Sequence, residues 1–122
     1  MKKILFIEDE DTLQKALGGF LKDAGYEVVN ALDGEIGLEL ASSENPDLIL
    51  LDIVLPKING FEVLKELKQK EETKDIPVIV LTNMENIEDI DKIIQLGATT
   101  YMIKTEYKLE EVIEKVKGVI GN

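Results

Sequence analysis

Apolar residues recur along this chain in two rhythms. Short unbroken runs at Ile4–Ile7, Leu48–Leu51 and Val78–Leu81 fit strands buried on both faces, as in a parallel sheet. Tyr26–Ala31 and Thr99–Ile103 complete a set of five. Between the runs, apolar positions fall at helical spacing. One helix starts near Asp11 or Thr12, presents Ala16, Leu17, Phe20 and Leu21 on one face, and stops at Gly25. Asp33-Gly34 caps a second through about Ser43, with Ile36, Leu38, Leu40 and Ala41 as its apolar surface. A third runs from about Gly60 to Lys70 on Phe61, Val63, Leu64 and Leu67. The polar connector Glu71–Asp75 and Pro77 follow it. A fourth spans about Ile87–Leu96 and ends at Gly97, and the last covers about Leu109–Gly118. Gly18-Gly19 interrupts the first helix at about 1 kcal/mol per Gly relative to Ala.

Strict alternation of strand and helix predicts a doubly wound α/β fold, a parallel sheet with helices on both faces. With 122 residues, the chain is expected to form a single domain, 1–122. In such sheets ligands bind beyond the carboxyl ends of the strands, where strand order reverses. The residues at those ends are Glu8 and Asp9, Asp52, Thr82 and Lys104. Asp52 is the most telling, because a carboxylate closing a buried apolar run is costly unless the strand opens there into a crevice.

Composition narrows the chemistry. The chain has no Cys, which removes disulfides and thiolate metal sites, and no His, which removes imidazole acid–base catalysis. A net charge of −11 argues against direct nucleic-acid binding, which depends on neutralising phosphates. No apolar run approaches the roughly 18 to 20 residues of a membrane span, and Lys2-Lys3 before Ile4–Ile7 is too short for a signal peptide. A cytoplasmic protein that does not enter a membrane is therefore expected.

Singly, each strand-end residue has a plain explanation: acids complement a helix dipole, Thr forms turns, Lys lies on the surface. Together, the clustered carboxylates read as a hard-cation site suited to Mg²⁺. A carboxylate beside such an ion can act as nucleophile and form an aspartyl phosphate. Lys and Thr would then hold the phosphoryl oxygens. No base is required, since a carboxylate is already charged at neutral pH.

At these positions the chain resembles the receiver domain of bacterial two-component response regulators, single-domain chemotaxis regulators included. The resemblance runs from Lys3–Glu10 through Leu50–Gly60 to Val80–Thr82 and Tyr101–Lys104. It implies a flavodoxin-like strand order 2-1-3-4-5 and a phosphorylation-dependent signalling switch rather than an enzyme with an external substrate. Asp52 would be the phosphoacceptor. Glu8, Asp9, Asp52 and the Val54 backbone carbonyl would hold Mg²⁺, and Thr82 and Lys104 would bind the phosphoryl group. Tyr101 would be the switch aromatic that responds to Thr82. The implied partners are a sensor histidine kinase or histidine phosphotransfer protein, and a downstream protein met through helix four, strand five and helix five. Leu13, on helix one, is either a kinase contact or a partly buried core residue.

Three positions depart from the family pattern. Glu8 stands where Asp is commoner, Asn83 where a small residue usually follows the Thr, and Thr105 where Pro usually follows the Lys. Without Pro, a cis bond would cost about 2.5–4 kcal/mol, so a trans bond is expected there. Apolar Val54 and Met84 beside the site imply slow hydrolysis of the phospho-form. Mutual repulsion of Glu8, Asp9 and Asp52 implies that Mg²⁺ and Asp52→Asn each stabilise the fold. The alternative is a pseudo-receiver that binds partners without being phosphorylated. A haloacid dehalogenase-type phosphatase would want a second carboxylate where Val54 stands, and a flavin protein would want a Ser/Thr/Gly-rich loop where this chain has Glu8–Asp11.

Overall fold

The computed structural model describes residues 1–83, 87–104 and 106–121, the side chain of Ile87 aside. The strands are β1 (Lys3–Ile7), β2 (Glu27–Ala31), β3 (Leu48–Asp52), β4 (Val78–Thr82) and β5 (Thr100–Ile103). The helices are α1 (Asp11–Asp23), α2 (Gly34–Glu44), α3 (Gly60–Gln69), α4 (Ile87–Gln95) and α5 (Leu109–Ile120). All strand pairs are parallel and the order is β2-β1-β3-β4-β5, as the resemblance implies. Chain order reverses between β1 and β3, which opens the crevice at their carboxyl ends.

Alternation within each strand divides the core. Leu5, Ile7, Ile49, Leu51, Val78 and Val80 face Leu38 and Ala41 of α2, Val63, Leu64 and Leu67 of α3, and Ile93 of α4. Ile4, Phe6, Leu48, Leu50, Ile79 and Leu81 face Leu17 and Leu21 of α1 and Val112, Ile113 and Val116 of α5. All five residues of β3 and of β4 are buried. Truncating a central residue such as Leu50 to Ala therefore costs about 2–5 kcal/mol.

On α1 the buried residues are Gln14, Leu17, Gly18 and Leu21, while Ala16 is exposed and Phe20 is 39% exposed. The stripe is thus rotated from the expected Ala16–Phe20 face, because Gln14 occupies a core-facing position that an apolar count overlooks. Ile36, expected as apolar surface on α2, is likewise 39% exposed. Leu13 is half-buried against the α1/α5 core. A methyl group at Gly18 or Gly19 would meet no atom within 4 Å, so packing does not demand the pair.

Two local features fix the ends of α3. At Gly60 an added Cβ would lie 2.5 Å from the Asp52 carbonyl oxygen, so only Gly lets the helix start this close to the end of β3. The Gly60 N–H donates to the Ile53 carbonyl (2.7 Å), and the Asn59 side chain caps the helix through Glu62 N–H (3.1 Å). At the other end, the buried Thr73 hydroxyl donates to the Leu67 carbonyl (2.6 Å).

Candidate functional site

The crevice at the carboxyl ends is formed by the residues following β1, the last residues of β3 and β4, and the turn after β5. Register brings them level: Asp52 lies opposite Leu81, and Thr82 opposite Ile103. Glu8 is fully buried and Asp52 is 4% exposed, whereas Asp9 is exposed at the mouth. One oxygen from each of these carboxylates lies within 4.8 Å of the others. Thr82 is buried at the end of β4, and its carbonyl accepts the Lys104 N–H (2.7 Å).

Lys104 bridges the two buried acids. Its Nζ donates to Glu8 Oε1 at 2.6 Å and lies 3.2 Å from Asp52 Oδ2. The other Glu8 oxygen accepts the Glu10 N–H (3.0 Å), and Asp52 Oδ1 accepts a long bond from the Val54 N–H (3.4 Å). Burial pushes both carboxyls above the usual carboxylate range, against the pull of Lys104. Burial alone would lower the Lys104 ammonium, but the Glu8 hydrogen bond and the Asp52 charge outweigh it and hold it above the ordinary lysine value.

Two buried carboxylates thus share one ammonium, with a third, exposed carboxylate beside them at the mouth. This donor set fits a divalent hard cation that takes few protein ligands: oxygen only, closely spaced, and open to solvent on the Asp9 side. Val54 follows on the loop leaving β3 and is 61% exposed. Tyr101 lies half-buried on β5 against the α2/α3/α4 core, and Asn83 is exposed just past Thr82. Met84 and Thr105, and with Thr105 the expected trans bond, lie outside the described residues.

Other contributors were not legible in the sequence. Gln14 donates from its amide to the carbonyls of Glu8 (2.9 Å) and Ala31 (3.0 Å). Lys57, at a left-handed φ of 68°, places its ammonium 3.8 Å from Asp33 Oδ2 and so links the β3–α3 and β2–α2 loops. The Tyr107 phenol, its pKa raised chiefly by burial, feels the charges of Lys104, Glu8, Asp52 and Glu10. Only Asp33 carried a signal, as the N-cap of α2 accepting the Ile36 N–H (2.9 Å). Away from the acids, a cleft of about 690 Å³ lies between β5 and α5, floored by Thr100–Ile103 and walled by Glu111 and Glu114.

A family model described as the response regulator receiver domain matches residues 4–117. The chain is 40% identical over 121 residues to the alkaline phosphatase synthesis transcriptional regulatory protein PhoP of Bacillus subtilis (strain 168), covering 98% of this chain and 48% of that protein. It therefore spans about half the length of that longer relative. It is 36% identical over 121 residues to the polar-differentiation response regulator DivK of Brucella ovis, covering 99% of this chain and 98% of that one. Among solved structures, Vibrio cholerae chemotaxis protein CheY4 matches with a TM-score of 0.90 at 29% identity, over 98% of each chain. The receiver domain of sensor histidine kinase PA1611 from Pseudomonas aeruginosa PAO1, solved with magnesium coordinated in its active site cleft, matches with a TM-score of 0.89 at 28% identity. That match covers 99% of this chain and 98% of the other.

Proposed function

Because this chain belongs to the response regulator receiver family, we propose that it is a signalling switch thrown by phosphorylation of Asp52. The observation that carries this reading is the position of Asp52: at the end of a buried strand, 4% exposed, with Lys104 Nζ at 3.2 Å and two further carboxylates alongside. An Asp52 oxygen attacks the phosphorus of a phosphohistidine on a sensor kinase or phosphotransfer protein. The phosphorus–nitrogen bond breaks and the released imidazole keeps its electron pair and takes up a proton. No general base is needed on this side.

Glu8, Asp9, Asp52 and the Val54 carbonyl would hold Mg²⁺, the ion coordinated in the PA1611 receiver. Bound there, it would supply positive charge to neutralise the phosphoryl oxygens. Lys104 contributes a second positive charge, already held in the pocket by Glu8. The Thr82 hydroxyl donates to a phosphoryl oxygen, and the adjustment of Thr82 is passed to Tyr101 on the neighbouring strand. The new charge then shifts a two-state surface, read by a downstream protein at α4, β5 and α5. These partnerships imply a cytoplasmic position, and among the described residues no helix is long and apolar enough to cross a membrane. The whole of 1–122 acts as one receiver unit in this reading. Apolar, exposed Val54 offers no group to hold a hydrolytic water, so the phospho-form is slow to hydrolyse.

Intact mass after incubation with Mg²⁺ and acetyl phosphate tests the reading. One phosphoryl adduct on the wild type and none on Asp52→Asn is the expected result. Absence of an adduct on both proteins would overturn it and favour a pseudo-receiver acting by constitutive contacts.

A further inference from the structure

We infer that Gln14 is a positioning residue for the cation-binding loop: its buried amide joins the ends of β1 and β2 and so fixes where Glu8 and Asp9 present their carboxylates. This rests on the reading of the acidic cluster as a divalent-cation site.

Gln14 lies on the sheet-facing side of α1 and is 6% exposed. Its Nε2 uses both hydrogens, one to the Glu8 carbonyl (2.9 Å) and one to the Ala31 carbonyl (3.0 Å). The Glu8 N–H also donates to Ala31 (3.0 Å), so the three groups close a bracket just past the last β1–β2 pair, Ile7 and Ala31. This bracket holds the loop from its first residue. The usual device at the loop's other end is missing, since the α1 N-cap, Glu10, makes no side-chain capping bond.

The side-chain type is also informative. Met or Leu would fill the same space, but would leave the Glu8 carbonyl in a buried place without the amide's bond. Lys or Arg would add a competing cation beside the acids. A neutral group with two donors satisfies both carbonyls without touching the charge balance. Glu8 already accepts one bond at each oxygen, from Lys104 and from Glu10 N–H, which leaves its carboxylate little freedom to move independently of the loop. The distance between Asp9 and Asp52 available to a cation is therefore set by where the loop backbone sits. Positioning partners of this kind are worth about 10–100-fold in metal affinity.

The test is Mg²⁺ titration by calorimetry on the full chain, comparing wild type, Gln14→Met and Tyr26→Phe. Tyr26→Phe removes a side-chain bond to the Gly121 carbonyl (2.7 Å), away from the acids, and controls for loss of stability alone. The expected result is a lower melting temperature in both variants, with Mg²⁺ binding weakened about tenfold in Gln14→Met only. The rate of phosphorylation from acetyl phosphate in Gln14→Met should recover when Mg²⁺ is raised to saturation. Unchanged Mg²⁺ affinity in Gln14→Met, or equal weakening in both variants, would overturn the inference and leave the site reading intact. A wild type that binds no Mg²⁺ would overturn the site reading and this inference with it. Should Gln14→Met not fold, Gln14→Asn, whose amide is one methylene too short to span both carbonyls, gives the same comparison.

Discussion

Both edges of the sheet gather three carboxylates around one lysine, and they differ chiefly in water. At the amino edge, Lys3 meets Glu44 (3.1 Å) and Glu27 (3.8 Å), and its backbone N–H donates to Asp47 (2.7 Å). The side chains of Glu27 and Glu44 there are 52% and 37% exposed. At the carboxyl edge, Lys104 meets Glu8 and Asp52, whose side chains are 1% and 5% exposed, with Asp9 nearby. Solvent screens the first group, so its surplus negative charge costs little. Glu8 and Asp52 in the second group have almost no solvent to screen them, and burial drives these two acids toward the protonated form. The same residue types make a screened surface group in one place and, in the other, a buried cluster that could hold a metal ion.

The largest expected break in this comparison is Lys104→Met. It leaves Glu8 and Asp52 buried without their cation, and metal-free stability by urea denaturation should fall by about 3–5 kcal/mol. Saturating Mg²⁺ should restore much of that loss by mass action. If the loss were no greater than for a surface lysine, the contrast between the edges would collapse.

Next in size is Asp52→Asn, which removes one buried charge while leaving Lys104 its 2.6 Å bond to Glu8. Without metal its melting temperature should rise by a few degrees, the equivalent of roughly 1 kcal/mol in a chain of this size. Equal melting temperatures would mean that the Lys104 bridge already cancels the repulsion.

A pH series sharpens the comparison further. Glu8 and Asp52 have folded-state pKa values raised above their unfolded ones, so the fold binds these protons more tightly than the open chain does. Their contribution is fully present below the unfolded carboxylate range and is lost as pH rises through the raised values. The metal-free wild type should therefore gain stability on mild acidification from neutral pH, and Glu8→Gln should gain less. Saturating Mg²⁺ should flatten or invert the slope, because the ion needs the ionised acids. The smallest effect belongs to Lys3→Ala at the amino edge. Its change in midpoint should vanish at high salt, and a salt-resistant loss would show that this edge is not screened as described.

Much of this was legible in the sequence, for reasons that differ by residue. Unbroken apolar runs marked β3 and β4 because both strands are buried on each face, and Asp52 stood out because it closes such a run. Strand ends in a parallel sheet converge, so Glu8, Asp9, Thr82 and Lys104 could be gathered before any geometry was known. What could not be read was partnership. Gln14 looks like one more polar residue of an exposed helix face until the sheet supplies two carbonyls above it. Phe20 counted as core because hydrophobicity alone cannot say which shoulder of a helix turns outward. The link between Lys57 and Asp33 joins loops that only the fold brings near each other.

The close seat of Gly60 against Asp52 has a mechanical consequence. With its first residue pressed on the end of β3 and Leu67 latched by Thr73, α3 behaves as a stiff rod about 15 Å long between the two edges. A shift in the backbone at Asp52 has no slack to be absorbed at that junction and must travel along the rod. Gly60→Ala would insert a shim at the loaded end, and its strain should register at the Thr73 latch as faster hydrogen exchange.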